Sequence, residues 1–353
     1  MSKKYNSKRN MVLGNYLKTG FDNHLKQTRR YSNTDNLWLK NFEVMPQDKK
    51  DYNLLIYAFE GNRKIVKVAL ECGANINAVD MNGNNALILA IYSGQFEVVD
   101  EILSFNFKSD LNLDLNKFNN DKVSAMHLAV KLNNGKMVKL LFSCGANLEL
   151  VGKYRKTPIF EAVENNNDEM IELISSLGAN INAKNREGHT PLMVASFDKL
   201  RQDSFLKLVS LGANILERDN EGKNVFMHAA NNNNSVYMDI LLKRTSSFEK
   251  LIDVQDRNGI SPLMTLAKRG NREAIRVLVS RGANIFLKDN FGRTAYDIAI
   301  KFGNPTCSEI LDKAKRIYEK AETIEDEKQK ELFLKQNLSI FAKQNRVANS
   351  CVK

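Results

Sequence analysis

The sequence predicts an all-α solenoid: stacked helix–turn–helix units joined by β-hairpin loops, closed by a helical C-terminal cap. Three observations carry that fold class. The tripeptide Gly-Ala-Asn stands at 73–75, 145–147, 178–180, 212–214 and 282–284, at intervals of 72, 33, 34 and 70 residues. Two intervals are one period and two are close to twice it, so degenerate copies belong in the gaps. Before each tripeptide lie two short apolar runs with helical spacing, as in 124–129 and 137–142. No single helix pair of this size buries both apolar faces alone, so successive pairs must bury them against one another.

The elements follow in order. Residues 1–50 are polar and basic and read as a partly disordered extension; Leu37-Trp38-Leu39 could shield the open end of the array. The first helices then open at 53, 85, 124, 157, 190, 224, 261 and 294, giving units near 51–79, 80–116, 117–150, 151–183, 184–216, 217–254, 255–286 and 287–313. Stretch 178–195 is the most regular junction. Gly178 fits a helix C-cap, where positive φ is wanted, and Asn185 to Gly188 is turn chemistry. Thr190-Pro191 starts a helix, with Thr able to cap and Pro at the first helical position. The turn glycine is lost in two units, so lengthened loops are expected at 104–116 and 245–253. One extra residue is expected in the Asp198–Asp203 inter-helix turn. Beyond 313, apolar residues at Ile310, Leu311, Ala314, Ile317, Tyr318 and Ala321 extend the last second helix. After the charged stretch 322–331, Leu332, Phe333, Leu334, Leu338, Ile340 and Phe341 form either a cap that folds back or an amphipathic segment for a partner.

Thr157-Pro158-Ile159-Phe160-Glu161-Ala162, Thr190-Pro191-Leu192-Met193-Val194-Ala195 and Ser124-Ala125-Met126-His127-Leu128-Ala129 show the pattern most clearly. It resembles the ankyrin repeat, whose period is ~33 residues and whose signature is T-P-L-H-x-A. Eight copies in register carry the resemblance. It implies that His127 bonds between neighbouring loops, and that a protein partner is gripped by hairpin tips and the first-helix face, which line a concave groove. Carried onto this chain, the tips gather Lys153, Tyr154, Arg155, Lys156, Lys184 and Arg186 into a basic patch with an aromatic centre. Phe118 and Phe291 are expected to stand exposed on other tips. Tyr and Arg are favoured at binding hot spots, and the basic charge points to a partner with an acidic segment. The bland reading is that Lys and Arg merely solvate a loop.

Charge narrows the partner. The net +11 divides into +7 over residues 1–50, +1 over 51–313 and +3 over 314–353. The array is almost neutral, which argues against a nucleic-acid-binding solenoid. Cys72, Cys144, Cys307 and Cys351 make no C-x-x-C pair and no metal-like spacing with the four histidines. Cys72 and Cys144 occupy the same slot and imply a repeated packing role. Glu161 and Glu164 read as a solvated helix face, and Asn231–Asn234 as a polar inter-helix turn. No catalytic, cofactor or metal site is expected. With no run of ~18 apolar residues and no apolar leader, the expectation is a monomeric, cytoplasmic, non-enzymatic protein-binding scaffold. Two alternatives stay open: an effector delivered by an intracellular bacterium to bind host proteins, and an array that positions a basic tail on an anionic surface.

Overall fold

A computed structural model describes residues 42–244 and 249–350, the side chains only as far as Phe341. The basic segment 1–41, with Leu37-Trp38-Leu39, lies outside the described residues, as do 245–248 and Cys351. The described chain forms two compact units, one ending at Asp114 and the other beginning at Leu115.

The first unit holds α1 (Gln47–Glu60), α2 (Arg63–Glu71), α3 (Ala86–Tyr92) and α4 (Phe96–Ser109). α1 begins inside the stretch read as an extension. It packs on both α2 and α3, and α2 packs on α4. The second unit holds α5 (Ala125–Lys131), α6 (Gly135–Ser143), α7 (Pro158–Glu164), α8 (Asp168–Ser176), α9 (Pro191–Ser196) and α10 (Gln202–Ser210). It continues through α11 (Val225–Asn231), α12 (Ser235–Arg244), α13 (Glu249–Ile252), α14 (Pro262–Arg269), α15 (Arg272–Ser280), α16 (Ala295–Lys301), α17 (Pro305–Ala321) and α18 (Glu327–Ser350). Helices α5, α7, α9, α11, α14 and α16 form one continuous row, each touching the next.

Capping sets the helix starts. Asn85, Ser124, Thr190, Asn224, Ser261 and Thr294 each accept the backbone N–H three residues on, meeting a donor with no partner in the first turn. Asn62, Asn134, Asn167 and Asn271 do the same for second helices. The two helix types bury differently. Every residue of α9 is buried, as is all of α5 from Ala125 to Val130. Second helices bury one stripe, such as Met170, Ile171 and Ile174 of α8. The first helices in the middle of the row are therefore core, whereas α16 buries only Ala295, Ile298 and Ala299; small Ala129, Ala162, Ala195 and Ala229, all fully buried, let neighbours approach closely.

The loops are held by a repeated side-chain device. Asn180, Asn147, Asn214 and Asn284 each accept the N–H two residues on. Their own N–H groups go to a side-chain oxygen one repeat earlier: Asn180 to Glu149, Asn147 to Asn116, Asn214 to Asn182 and Asn284 to Asp253. The same link joins Asn75 to Asp51 within the first unit. Each repeat thus satisfies backbone donors of the next.

Several expectations need correction. The β-hairpins are not strands: among the described residues the β pairing is one isolated bridge, Val79–Asn85. The loops are tight turns, each closed by one backbone bond such as Asp219 N–H to Lys223 O, with Asp or Asn side chains supplying the further acceptors. The loop expected at 104–116 is helical as far as Ser109, because no glycine stops α4 until Asp110 takes a left-handed φ of 49°. At 245–253 the described part contains α13, with Leu251 and Ile252 buried. The Asp198–Asp203 turn holds a 3-10 segment, Lys199–Arg201. The Tyr237 hydroxyl of the following repeat donates to Asp198 O at 3.1 Å and tethers that turn. The last helix, α18, packs against α15 and α17, burying Leu338 and Phe341 and leaving Leu332 and Ile340 half-exposed.

Candidate functional site

Six loops share one design. Asp80, Asn119, Asn185, Asp219, Asp256 and Asp289 each turn Oδ1 inward to accept two N–H groups, two and four residues on. The loop at 152–156 departs from it. Gly152 stands in the anchoring slot and offers no side chain, so the loop keeps the backbone closure that the other six also make, Gly152 N–H to Lys156 O at 2.9 Å, without the carboxylate or amide acceptor. Glycine is required there by crowding: a Cβ would lie 2.7 Å from Lys122 O and 2.9 Å from His127 Nε2. The turn is instead completed by two successive left-handed residues, Tyr154 at φ 56° and Arg155 at φ 57°. Such φ values are costly for side-chain-bearing residues.

The patch residues divide. Tyr154 is 53% exposed, with Lys153 Nζ 5.4 Å and Lys156 Nζ 6.0 Å from its ring centroid. Arg186 N–H donates to Tyr154 O at 2.8 Å, which brings the second loop alongside the first. Lys153, Arg155 and Arg186 are exposed, and among the described residues no ion pair engages them. Lys156 is paired with Glu164, and Lys184 with Glu217 at 2.8 Å and with Arg218 O. Those two charges are spent internally. The side chains of the expected patch that stand outside these ion pairs are Lys153, Tyr154, Arg155 and Arg186. Glu161 and Glu164 are not a free solvated face either. Burial pushes the Glu161 carboxyl above its ordinary range, with Lys131 3.8 Å away.

The two phenylalanines also part company. Phe291 is 79% exposed, with the Arg293 guanidinium 4.8 Å from its ring centroid. Phe118 is half-buried and packs on the His127 ring at 6.0 Å, so it does not stand free at a tip. Cys72 and Cys144 share a helix C-cap. Cys144 is exposed and Cys72 half-buried, so the repeated slot is not a core packing position.

His127 performs the expected structural task. Its Nε2 donates to Lys156 O in the next repeat at 3.1 Å, and its Nδ1 accepts from the Ser124 hydroxyl at 2.8 Å. Burial lowers its pKa from the ordinary 6.5, opposed by the bond to Lys156 O.

The structure also assembles a group that sequence spacing does not reveal. His189 sits at the end of one hairpin, Asp219 at the start of the next, and His228 four residues into α11 after its cap. Asp219 Oδ2 lies 2.8 Å from His228 Nε2 and 3.5 Å from His189 Nε2. The three ligand-capable atoms lie within 4.8 Å of one another. Burial would push the Asp219 carboxyl up, but hydrogen bonds from His189, His228 and the Lys223 N–H overcome it and hold it well below its ordinary 3.8. Phe197 packs edge-on against both imidazoles, at 4.9 and 5.0 Å. The signal available in sequence was register. His228 is one position later than His127 in its unit, and that shift turns it from the next loop's carbonyl to its own loop's carboxylate.

Comparison with known proteins agrees with this architecture. A family model for ankyrin repeats (three copies) matches in overlapping placements from residue 33 to 321. The Nuclear factor NF-kappa-B p105 subunit of Gallus gallus is 32% identical over 85 residues, which cover 24% of this chain and 8% of that protein. A putative ankyrin repeat protein of Borreliella burgdorferi is 30% identical over 110 residues, 31% of this chain and 47% of that one. The I-Kappa-B like protein F1 of Microplitis demolitor bracovirus is 32% identical over 81 residues, 23% and 46% respectively. The matched stretches thus span less than half of each of these relatives. In structure, the ankyrin repeat domain of Bcl-3 superposes with a TM-score of 0.58 at 24% identity, over 65% of this chain and 99% of that one, a likeness of fold. The capped helix pairs, the zipped loops and the family match over most of its length lead to one conclusion: the chain belongs to the ankyrin-repeat family.

Proposed function

We propose that this protein is a non-enzymatic scaffold that binds a partner protein through its loop tips, centred on Tyr154, and that the partner presents an acidic segment. The observation that carries this is the 152–156 loop. It alone among the seven turns described gives up the Asp/Asn anchor, and it holds an exposed tyrosine between an exposed lysine and an exposed arginine on strained backbone. Tyr and Arg are the residues that most often dominate binding energy, and a loop already fixed in place loses little entropy on association. The central first helices, such as α5 and α9, are so fully buried that recognition there falls to the tips. Family membership supports the interaction role; the named patch and the acidic partner are this reading's own.

The test compares wild-type chain with Tyr154→Ala/Arg155→Glu in affinity capture read by mass spectrometry, with circular dichroism as the check on folding. The reading predicts that specific partners are lost from the folded double variant and that wild-type capture weakens with salt, as exposed charges require. An unchanged partner set with an intact fold contradicts it.

A further inference from the structure

The His189–Asp219–His228 group goes beyond partner binding. We propose that it is a zinc-type divalent-metal site, with His189 Nε2, His228 Nε2 and Asp219 Oδ2 as the three protein ligands and water in the fourth position.

The donor set suits the ion. Two imidazoles and a carboxylate are borderline ligands of the kind zinc takes, and three protein ligands with one open position are a known zinc arrangement. A tetrahedral ion with bonds of about 2.0–2.1 Å sets its ligand atoms roughly 3.3 Å apart. The two nitrogen–oxygen separations, 2.8 and 3.5 Å, bracket that value. Both Nε2 atoms are aimed at one oxygen. In the metal-free form His228 Nε2–H donates to Oδ2 and His189 Nε2 lies 3.5 Å from the same oxygen; on binding, each neutral imidazole carries its proton on Nδ1, which frees both Nε2 lone pairs for the ion.

The surroundings are built as a metal site requires. Asp219 Oδ1 is occupied by the N–H groups of Glu221 and Lys223, at 2.8 and 2.9 Å, which fixes the carboxylate with Oδ2 left to act alone. Such supporting bonds orient metal ligands and matter nearly as much as the ligands themselves. The Asp219 side chain is 1% exposed, and Phe197 walls the imidazoles on one side. His189, with its side chain 20% exposed, leaves the way in for the ion and its water.

The arrangement is specific to this place in the array. At the equivalent anchors, Asp80 Oδ2 meets Asn84 and Asp289 Oδ2 meets Arg293. Neither partner is a metal ligand of this type. Among the described residues, only here do a loop histidine of one repeat and a displaced helix histidine of the next converge on the anchoring carboxylate. The ion would therefore bond two adjacent repeats together.

The test uses full-length protein stripped with a chelator. Zn2+ binding is followed by calorimetry, and Co2+, as a spectroscopic stand-in, by the d–d absorption of tetrahedral coordination. One saturable site is expected, with a tetrahedral Co2+ spectrum and a melting temperature that rises with Zn2+. His189→Gln keeps a neutral polar group at a half-exposed position, and it should weaken binding at least about ten-fold while staying folded. Asp219→Asn, expected to disturb its turn, is the second variant. His24→Gln, outside the described residues, should bind as wild type. No saturable binding overturns the proposal and leaves the group as a hydrogen-bonded triad. So does equal affinity in wild type and folded His189→Gln, which would place the metal elsewhere.

Discussion

At the scale of single residues, most of the chemistry here is spent on satisfying backbone donors. Asn180 shows how. Its side chain serves its own loop, its N–H takes Glu149 from the repeat before, and the same arrangement recurs along the loops. These roles were half legible in sequence: Gly-Ala-Asn marked the position, but the partner one repeat away could not be read from spacing. His127 was fully legible, because its place in the T-P-L-H pattern fixes its neighbour. Its titration gives a prediction with a definite sign. The folded pKa lies below the ordinary 6.5, so the unfolded chain binds the proton more tightly. The stabilisation is therefore complete above pH 6.5 and is lost as pH falls through the lower folded pKa. Denaturant melts between about pH 5 and 8 should show wild type weakening toward acid. His127→Gln, which cannot titrate, should show a flatter profile by that group's share, and an unchanged slope would contradict the assignment.

At the scale of elements, helices were legible and loops were not. Caps and apolar spacing locate α5, α7 and α9 because both are local. At 104–116 the missing glycine suggests a longer loop, but it equally lets a helix continue. In fact α4 simply runs on to Asp110. Two members of the basic patch carry partners that spacing does not announce: Lys156 pairs with Glu164 eight residues on, in the following helix, and Lys184 with Glu217 one repeat away. Phe118 was misplaced because nothing in its own loop shows that His127 lies beneath it. Two glycines give a direct test of what the turns demand. Gly178 has φ 97° and open space around it, so Gly178→Ala meets only the backbone penalty of about 1–2 kcal/mol. Gly152 has ordinary negative φ, and Gly152→Ala instead drives a methyl against Lys122 O and His127 Nε2. It should cost about 1–3 kcal/mol by overpacking. It should also shift the His127 imidazole resonances in NMR, which Gly178→Ala should leave alone.

At the scale of the whole molecule, each compact unit is a row of buried first helices with second helices shielding one side and loops on another. In such arrays stability is a sum of repeat and nearest-neighbour terms, so the same small residues recur at the same slots. That periodicity is what made the fold class readable from sequence. The site was less readable, because a function carried by departures from the repeat can be recognised only against the three-dimensional register. Gly152 in place of an anchor and His228 one position late are both such departures. No helix among the described residues is long and apolar enough to cross a membrane, and the proposal places recognition at the loop tips. The most direct measurement of that central claim is hydrogen–deuterium exchange of the chain with and without a partner recovered by affinity capture. The account predicts slowed exchange at residues 152–156 and 184–188, lost in Tyr154→Ala/Arg155→Glu. Protection confined to other loops, with these two unchanged, would contradict it.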